Sequence, residues 1–310
     1  DIRKGIVRTP LNPDIIFKDD PLRLLRAVRF ASKYNWKLPL FMLRSIKKNA
    51  SQLNNISKER IQEELNKMLL TTNPHKAIKL LKITSLLKYV IPELIPAIKM
   101  VQNKHHTQDV FGHTLDVLKN TQPVLVQRLM GLFHDIGKTV TKSITPTGIH
   151  FYDHENRGAD ITEDVLRRLK YPNDIINAVK LGVKYHMRLK HGEDTTVKLT
   201  DKTLRKFKAE LGEQLENILN VIHADNIAHS EASSMPNQIN NVRNRLETLD
   251  TTITGKPKLP LTGNDLKTEL NLTPGPIFGE IMKAVTDAWF DNPKLSKDEA
   301  LNIAKRIIKI

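Results

Sequence analysis

In the stretch GLFHDIGKT, residues 131–139, a histidine and an aspartate stand side by side at the end of an apolar run. An imidazole nitrogen and a carboxylate oxygen both bind divalent metals. Adjacent helical side chains diverge by about 100°, so His134 and Asp135 can share one ion only where a helix ends, and Gly137 is placed to end it. Two ligands are too few for a site. Others of the same types follow at amphipathic helical positions: His113 in FGHTLDVL, His154 in FYDHENRGAD, His186 in VKYHMR and Asp225 in VIHADNIAHSE. Lys138 carries the charge to neutralise a phosphate. Imidazole and carboxylate ligands with water at the open positions suit magnesium, manganese, nickel or iron, and such an ion polarises a phosphoryl oxygen. The other reading is that these are ordinary polar core or surface histidines, because a chain with 11 histidines brings some together by chance.

A second set of chemical groups lies in DDPLRLLRAVRF, residues 19–30. Asp20 is placed to cap a helix that begins at Pro21. Arg23, Arg26 and Arg29 continue from it at three-residue spacing and so form one stripe, opposite Leu22, Leu25 and Phe30. A carboxylate beside a guanidinium fork offers acceptors and donors in a plane, a pattern that can pair with a nucleobase edge. A cap followed by a solvated basic face accounts for the same spacing. Downstream, SKERIQEELNKMLL opens on the cap residue Ser57 and puts Arg60, Glu63 and Glu64 within a turn of one another. Near the end of the chain, LPLTGNDLKTELNLTPGPIFGEIMKAV sets Gly263, Gly275 and Gly279 beside helix starts. Their backbone N–H groups could hold a phosphate, or the glycines could serve a plain turn between packed helices.

Apolar residues recur at three- and four-residue spacing almost throughout, with no sustained alternation, and this predicts an all-α chain. Helices are expected over about 21–34, 40–50, 58–71, 74–83, 109–120, 124–135, 156–170, 173–187, 200–211 and 213–230, then near 238–250, 263–270, 275–290 and 296–309. The Pro- and Lys-containing stretch at 91–106 and the Ser/Asn/Pro cluster at 230–238 suggest three parts, 1–95, 96–235 and 236–310. No apolar run approaches the roughly 20 residues of a membrane span, so no membrane partner is expected. With no cysteine, thiolate metal sites and disulfides are excluded and a reducing cytoplasm is permitted. Lys plus Arg exceed Asp plus Glu by 49 to 34, a net charge of +15, which favours a phosphate-rich partner. A Lys-, Asn- and Ile-rich composition also makes basic proteins with ordinary partners.

Taken in order, DIRKGIVRT, DDPLRLLRAVRFASKYNWKL and SKERIQEELNKMLL resemble the neck and body of the bacterial CCA-adding tRNA nucleotidyltransferases and their poly(A) polymerase relatives. The resemblance implies that residues 1–95 are neck and body, that 236–310 are a tail meeting tRNA, and that the partners are tRNA, CTP and ATP. It assigns base reading to Asp20 and Arg23, from the family's Glu-Asp-x-x-Arg motif, with Arg26 beside them and Arg60 in support. Asp19 replaces the family's glutamate and keeps its charge. Asp1 and Arg8 resemble the hinge to a catalytic head, and Arg29, Gly263, Gly275 and Gly279 become RNA contacts. The head, with its Asp-x-Asp magnesium site, is expected before residue 1, since no two aspartates in this sequence stand two positions apart. His113, His134-Asp135 and Asp225 in that order resemble the HD phosphohydrolases, with His154 and His186 at the further ligand positions of two-metal members and Lys138 at the reacting phosphate. That implies an accessory HD domain over 96–235. The alternatives are an HD phosphohydrolase acting on nucleotides or RNA phosphate ends with the first part as scaffold, and an RNA-binding protein with neither activity.

Overall fold

Helix starts in the first third of the chain are set by the residues just before them. The computed structural model describes residues 2–102, 108–189, 199–230, 234–249 and 258–308. Five helices open it: α1 (Pro13–Asp19), α2 (Leu22–Lys33), α3 (Leu40–Asn49), α4 (Lys58–Leu69) and α5 (Pro74–Ile83). The Asn12 side chain accepts the Asp14 N–H, the Asp20 carboxylate accepts the Leu22 N–H at 3.2 Å, and the Ser57 hydroxyl accepts the Arg60 N–H. Pro13 and Pro74 sit at the first helical position, where their missing N–H costs nothing. The stripe of α2 that carries Leu24, Leu25, Val28 and Ala31 is buried, and α2 packs on α4 and α5 through Ile61, Leu65, Ile78 and Leu81. The expected helices hold here within two residues at each end. The helix α1 was not expected, because IIF between two prolines is too short to show a period.

Next come α6 (Leu87–Val90), α7 (Val110–Asn120), α8 (Leu125–Phe133), α9 (Lys138–Thr141), the strands β1 (Lys142–Thr145) and β2 (Gly148–Phe151), α10 (His154–Arg168) and α11 (Asn173–Tyr185). Asp109 caps α7 with one carboxylate oxygen on the Gly112 N–H at 2.6 Å and spends the other on the Lys99 N–H. The helix α8 packs on α7 and α11, and α10 on α11, around Phe111, Leu129, Phe133, Leu166, Val179 and Val183. The strands form an antiparallel hairpin pairing Lys142 with Phe151 and Thr145 with Gly148 across a Pro146-Thr147 turn. This departs from a purely helical chain, since strands of four residues are too short to show alternation.

The remaining helices are α12 (Asp201–Leu211), α13 (Leu215–Asn226), α14 (Gln238–Thr248), α15 (Gly263–Leu270), α16 (Pro276–Asp291) and α17 (Lys297–Ile308). The chain divides into two units, Asp1–Lys190 with Glu216–Ile239, and His191–Leu215 with Asn240–Ile310. The break expected near residue 95 is not a break in packing: α5 packs on α7 and α4 on α8, so the first two expected parts share one unit. The second unit has its own core of Leu261, Leu266, Ile281, Val285, Ala300 and Ala304. There Thr262 and Asp265 close a reciprocal capping box at the start of α15. Among the described residues, no helix is long and apolar enough to cross a membrane.

Candidate metal centre and base-reading cluster

Two glycines let the metal-ligand residues meet. A Cβ on Gly182 of α11 would lie 2.4 Å from the Met130 sulfur of α8, so its absence lets these helices approach closely. A Cβ on Gly137 would fall 2.0 Å from the His154 carbonyl and 2.6 Å from the Gly158 nitrogen, so the turn after α8 lies directly on the start of α10. Gly137 therefore does not end a helix in the left-handed conformation. Its φ is −64°, and it is needed for close approach. Helix α8 stops at Phe133, and the turn after it presents His134 and Asp135 together.

His113 from α7, His134 and Asp225 from α13 form one buried triad, and Asp135, His154 and His186 form another, with all ligand atoms of each triad within 4.8 Å of one another. Asp135 stands between them. One carboxylate oxygen is 3.2 Å from His134 Nε2 and 3.8 Å from His113 Nε2; the other is 3.5 Å from His154 Nε2 and 3.7 Å from His186 Nε2. His113 Nε2 also meets Asp225 Oδ1 at 2.9 Å. The Nδ1 atoms of His134, His154 and His186 lie 2.6–2.9 Å from the carbonyls of Gly131, Phe151 and Val183. A carbonyl only accepts, so Nδ1 carries hydrogen in each, and Nε2 is left with its lone pair. Those three Nε2 atoms are buried without a hydrogen-bond partner among the described residues. Imidazole lone pairs directed at carboxylate oxygens repel unless a positive charge lies between them, so the residues fit a divalent cation.

The electrostatics agree at two of the histidines. Burial holds His113 below the ordinary imidazole pKa and takes His154 down to about 4, leaving both neutral and ready to ligate. At His134 burial acts in the same direction but is outweighed by Asp135 and Asp225, and its pKa is raised. Burial likewise opposes ionisation of Asp135, yet Lys138 and His134 hold it well below the carboxylate range. Lys138 is buried, its ammonium 2.8 Å from Asp135 Oδ2 and donating to Gln102 Oε1 at 2.8 Å, with the Phe151 ring of the hairpin 5.3 Å away. Two neighbours went unread in the sequence. His229 lies one turn after Asp225, its Nδ1 donating to the Asp225 carbonyl at 2.7 Å and its ring 5.1 Å from that of His113. Its signal was the four-residue spacing in HADNIAHSE; Gln102 had none.

At the start of α2, Asp20 and Arg23 come together with Arg60 of α4. Asp20 lies 3.7 Å from both guanidinium groups, and Arg23 is 3.1 Å from Asp19. Arg26, one turn on, is exposed. Arg29 does not continue that exposed stripe: it is turned inward onto Glu64 at 2.7 Å, and only 13% of its side chain is exposed. Arg8 lies over the Phe41 ring at 5.9 Å, and Asp1 falls outside the described residues. In the tail, Gly263 opens α15 within the capping box and Gly275 precedes α16. Gly279 is the fourth residue of α16 and lies exposed in its first turn.

A mostly helical chain thus carries an acidic–guanidinium cluster at one helix start and a buried centre of histidines and aspartates. Residues 42–98 match the family model described as the RNA and SrmB-binding site of polymerase A, and residues 154–302 match that described as tRNA nucleotidyltransferase domain 2. The A-adding tRNA nucleotidyltransferase of Deinococcus radiodurans is 27% identical over 93% of this chain and 68% of its own, and the CC-adding enzyme of Thermus thermophilus is 27% identical over 97% and 69%. The fold is that of the Bacillus stearothermophilus CCA-adding enzyme solved with CTP, at a TM-score of 0.68 and 22% identity over 99% of this chain and 67% of that one. Along nearly its whole length the chain is thus similar to the CCA-adding tRNA nucleotidyltransferases. It spans about two thirds of the length of these relatives, which differ in the nucleotides they add.

Proposed function

We propose that this chain is the base-reading and tRNA-binding portion of a tRNA nucleotidyltransferase that adds CTP- or ATP-derived residues to tRNA 3′ ends. The observation that carries this reading is the cluster of Asp20, Arg23 and Arg60. The carboxylate supplies acceptors and the guanidinium supplies donors, the complement of the edges of cytosine and adenine. Asp19 and Arg60 hold the pair from either side, so it is aimed before a nucleotide arrives. The transfer step itself, with its magnesium-binding Asp-x-Asp pair, belongs to a catalytic head outside these 310 residues.

The accessory chemistry is that of a metal-dependent HD phosphohydrolase. His113, His134 and Asp225 would hold one divalent ion, and Asp135, His154 and His186 another, of magnesium, manganese or nickel. When bound, the ions supply Lewis-acid polarisation of a phosphoryl group and activation of water. Lys138 neutralises phosphate charge and orients Asp135, while the hairpin and α10 exclude solvent. Asp225 is held by His113 and His229.

Replacing Arg23 by Ala in an enzyme that carries this chain tests the principal reading. Discrimination among CTP, ATP, GTP and UTP collapses, read as the ratio of kcat/KM values; unchanged selection refutes the assignment. Replacing His134 by Ala removes hydrolysis of 2′,3′-cyclic phosphate and leaves nucleotide selection intact.

A further inference from the structure

A cleft of about 520 Å³ lies among the end of α2, the segment leading to α3, and α5, within the size range of small-ligand pockets. Ala31, Leu43 and Leu80 give it an apolar floor, and the Trp36 indole gives it a flat wall. Three lysines, Lys37, Lys76 and Lys79, line it, and no carboxylate does. Lys37 and Lys79 are exposed, and Lys76 Nζ donates to Asn35 Oδ1. His75 lines the same cleft, and its Nδ1 is buried without a hydrogen-bond partner among the described residues. Such an atom is satisfied by a ligand or by solvent.

A second feature adjoins it. The Tyr34 ring lies 4.8 Å from Trp36 and 6.2 Å from Phe30, with Arg29 over Phe30 at 4.3 Å and Lys33 over Tyr34 at 5.3 Å. Rings alternating with cations are the composition of surfaces that bind single-stranded nucleic acid, where bases stack and phosphates are neutralised. An acidic peptide matches the lysines but not the indole and the leucine floor. An apolar segment matches the floor but leaves the lysines unpaired.

We propose that this cleft is an RNA-binding site that seats one unpaired nucleotide, its base against Trp36 and its flanking phosphates on Lys37, Lys76 and Lys79. It is distinct from the base-reading cluster, because Ala31 lies eight residues past Arg23 on α2, about 12 Å along the helix axis. It does not depend on the metal centre. The His75 imidazole, kept neutral near pH 7 by burial, offers a donor or an acceptor to the base edge.

The chain has two tryptophans, so Trp289→Phe leaves Trp36 as the sole reporter. Its emission is followed while the full chain is titrated with single-stranded oligo(A) and oligo(U) tetramers, with AMP and with a blunt RNA duplex, over a salt series. Binding of labelled tetramer by anisotropy to the chain with both tryptophans gives a readout free of the Trp289 change. The site predicts quenching by tetramers, none by the duplex, and roughly tenfold weaker tetramer binding in Trp36→Leu. The pair K37A/K79A, on exposed side chains, weakens binding and lowers the slope of log affinity against log salt by about one. Tetramer binding without quenching, a slope unchanged in the lysine pair, or quenching by AMP at the same affinity as the tetramer would each overturn the assignment.

Discussion

Arg26 and Arg29 differ by one turn of α2 and by everything that matters energetically. Arg29 is locked onto the buried Glu64, and Arg26 is in solvent. Removing one partner of a buried ion pair leaves the other charge uncompensated, so Glu64→Ala is expected to cost about 3 kcal/mol in urea unfolding. Arg26→Ala should stay within about 0.5 kcal/mol, and equal costs would contradict the geometry. In the metal centre, Asp135 touches both triads, so Asp135→Asn is expected to abolish stabilisation by manganese, read as the loss of a concentration-dependent shift in Tm. A full manganese shift in that variant argues against the centre. Among titrating groups, His75 is displaced downward from 6.5, chiefly by burial and then by Lys119 and Lys76 against Asp116. With the folded pKa below the unfolded one, the unfolded chain binds more protons in that window. The contribution to stability is therefore present above about 6.5 and is lost as pH falls through the folded pKa. An NMR titration of His75 should show its inflection below 6.5; one at or above 6.5 would reverse the sign.

Gly137 and Gly182 carry the placement of the elements around the metal centre, and they should differ in how they tolerate a methyl group. A Cβ at Gly182 meets the flexible end of Met130, whereas one at Gly137 meets the backbone of α10. Gly182→Ala is expected to cost about 1 kcal/mol and Gly137→Ala about 3 kcal/mol or more, with manganese binding lost only in the latter. Equal unfolding midpoints would show that the turn after α8 can move. The helices themselves were legible because their signals are local: Ser57 and Asp20 as caps, prolines at first positions, and apolar residues one turn apart. What escaped was short or non-local. α1 and the β1–β2 hairpin are too brief to show a period, and Gly137 has the sequence context of a helix stop but the tertiary role of a spacer. The six histidines and aspartates that the structure brings together were legible by type and order. The inward turn of Arg29 and the help of Gln102 depend on partners far away in sequence.

Over the whole molecule, a charge of +15 is carried by a chain whose two units each have their own core. The first unit brings the Asp20, Arg23 and Arg60 cluster and the His/Asp centre into one packed body, so the expected boundary near residue 95 is not where the chain separates. If tRNA is the partner, charge alone supplies a salt-sensitive background, and recognition must appear as a preference that persists above it. The most direct test is equilibrium binding of this chain to a tRNA lacking its terminal CCA, against an RNA hairpin of equal length, across a salt series. The account predicts a preference for the tRNA of roughly tenfold or more that is retained as salt rises. Equal affinity for the two RNAs at every salt concentration would contradict it, and would leave the buried His/Asp centre as the chain's principal chemistry.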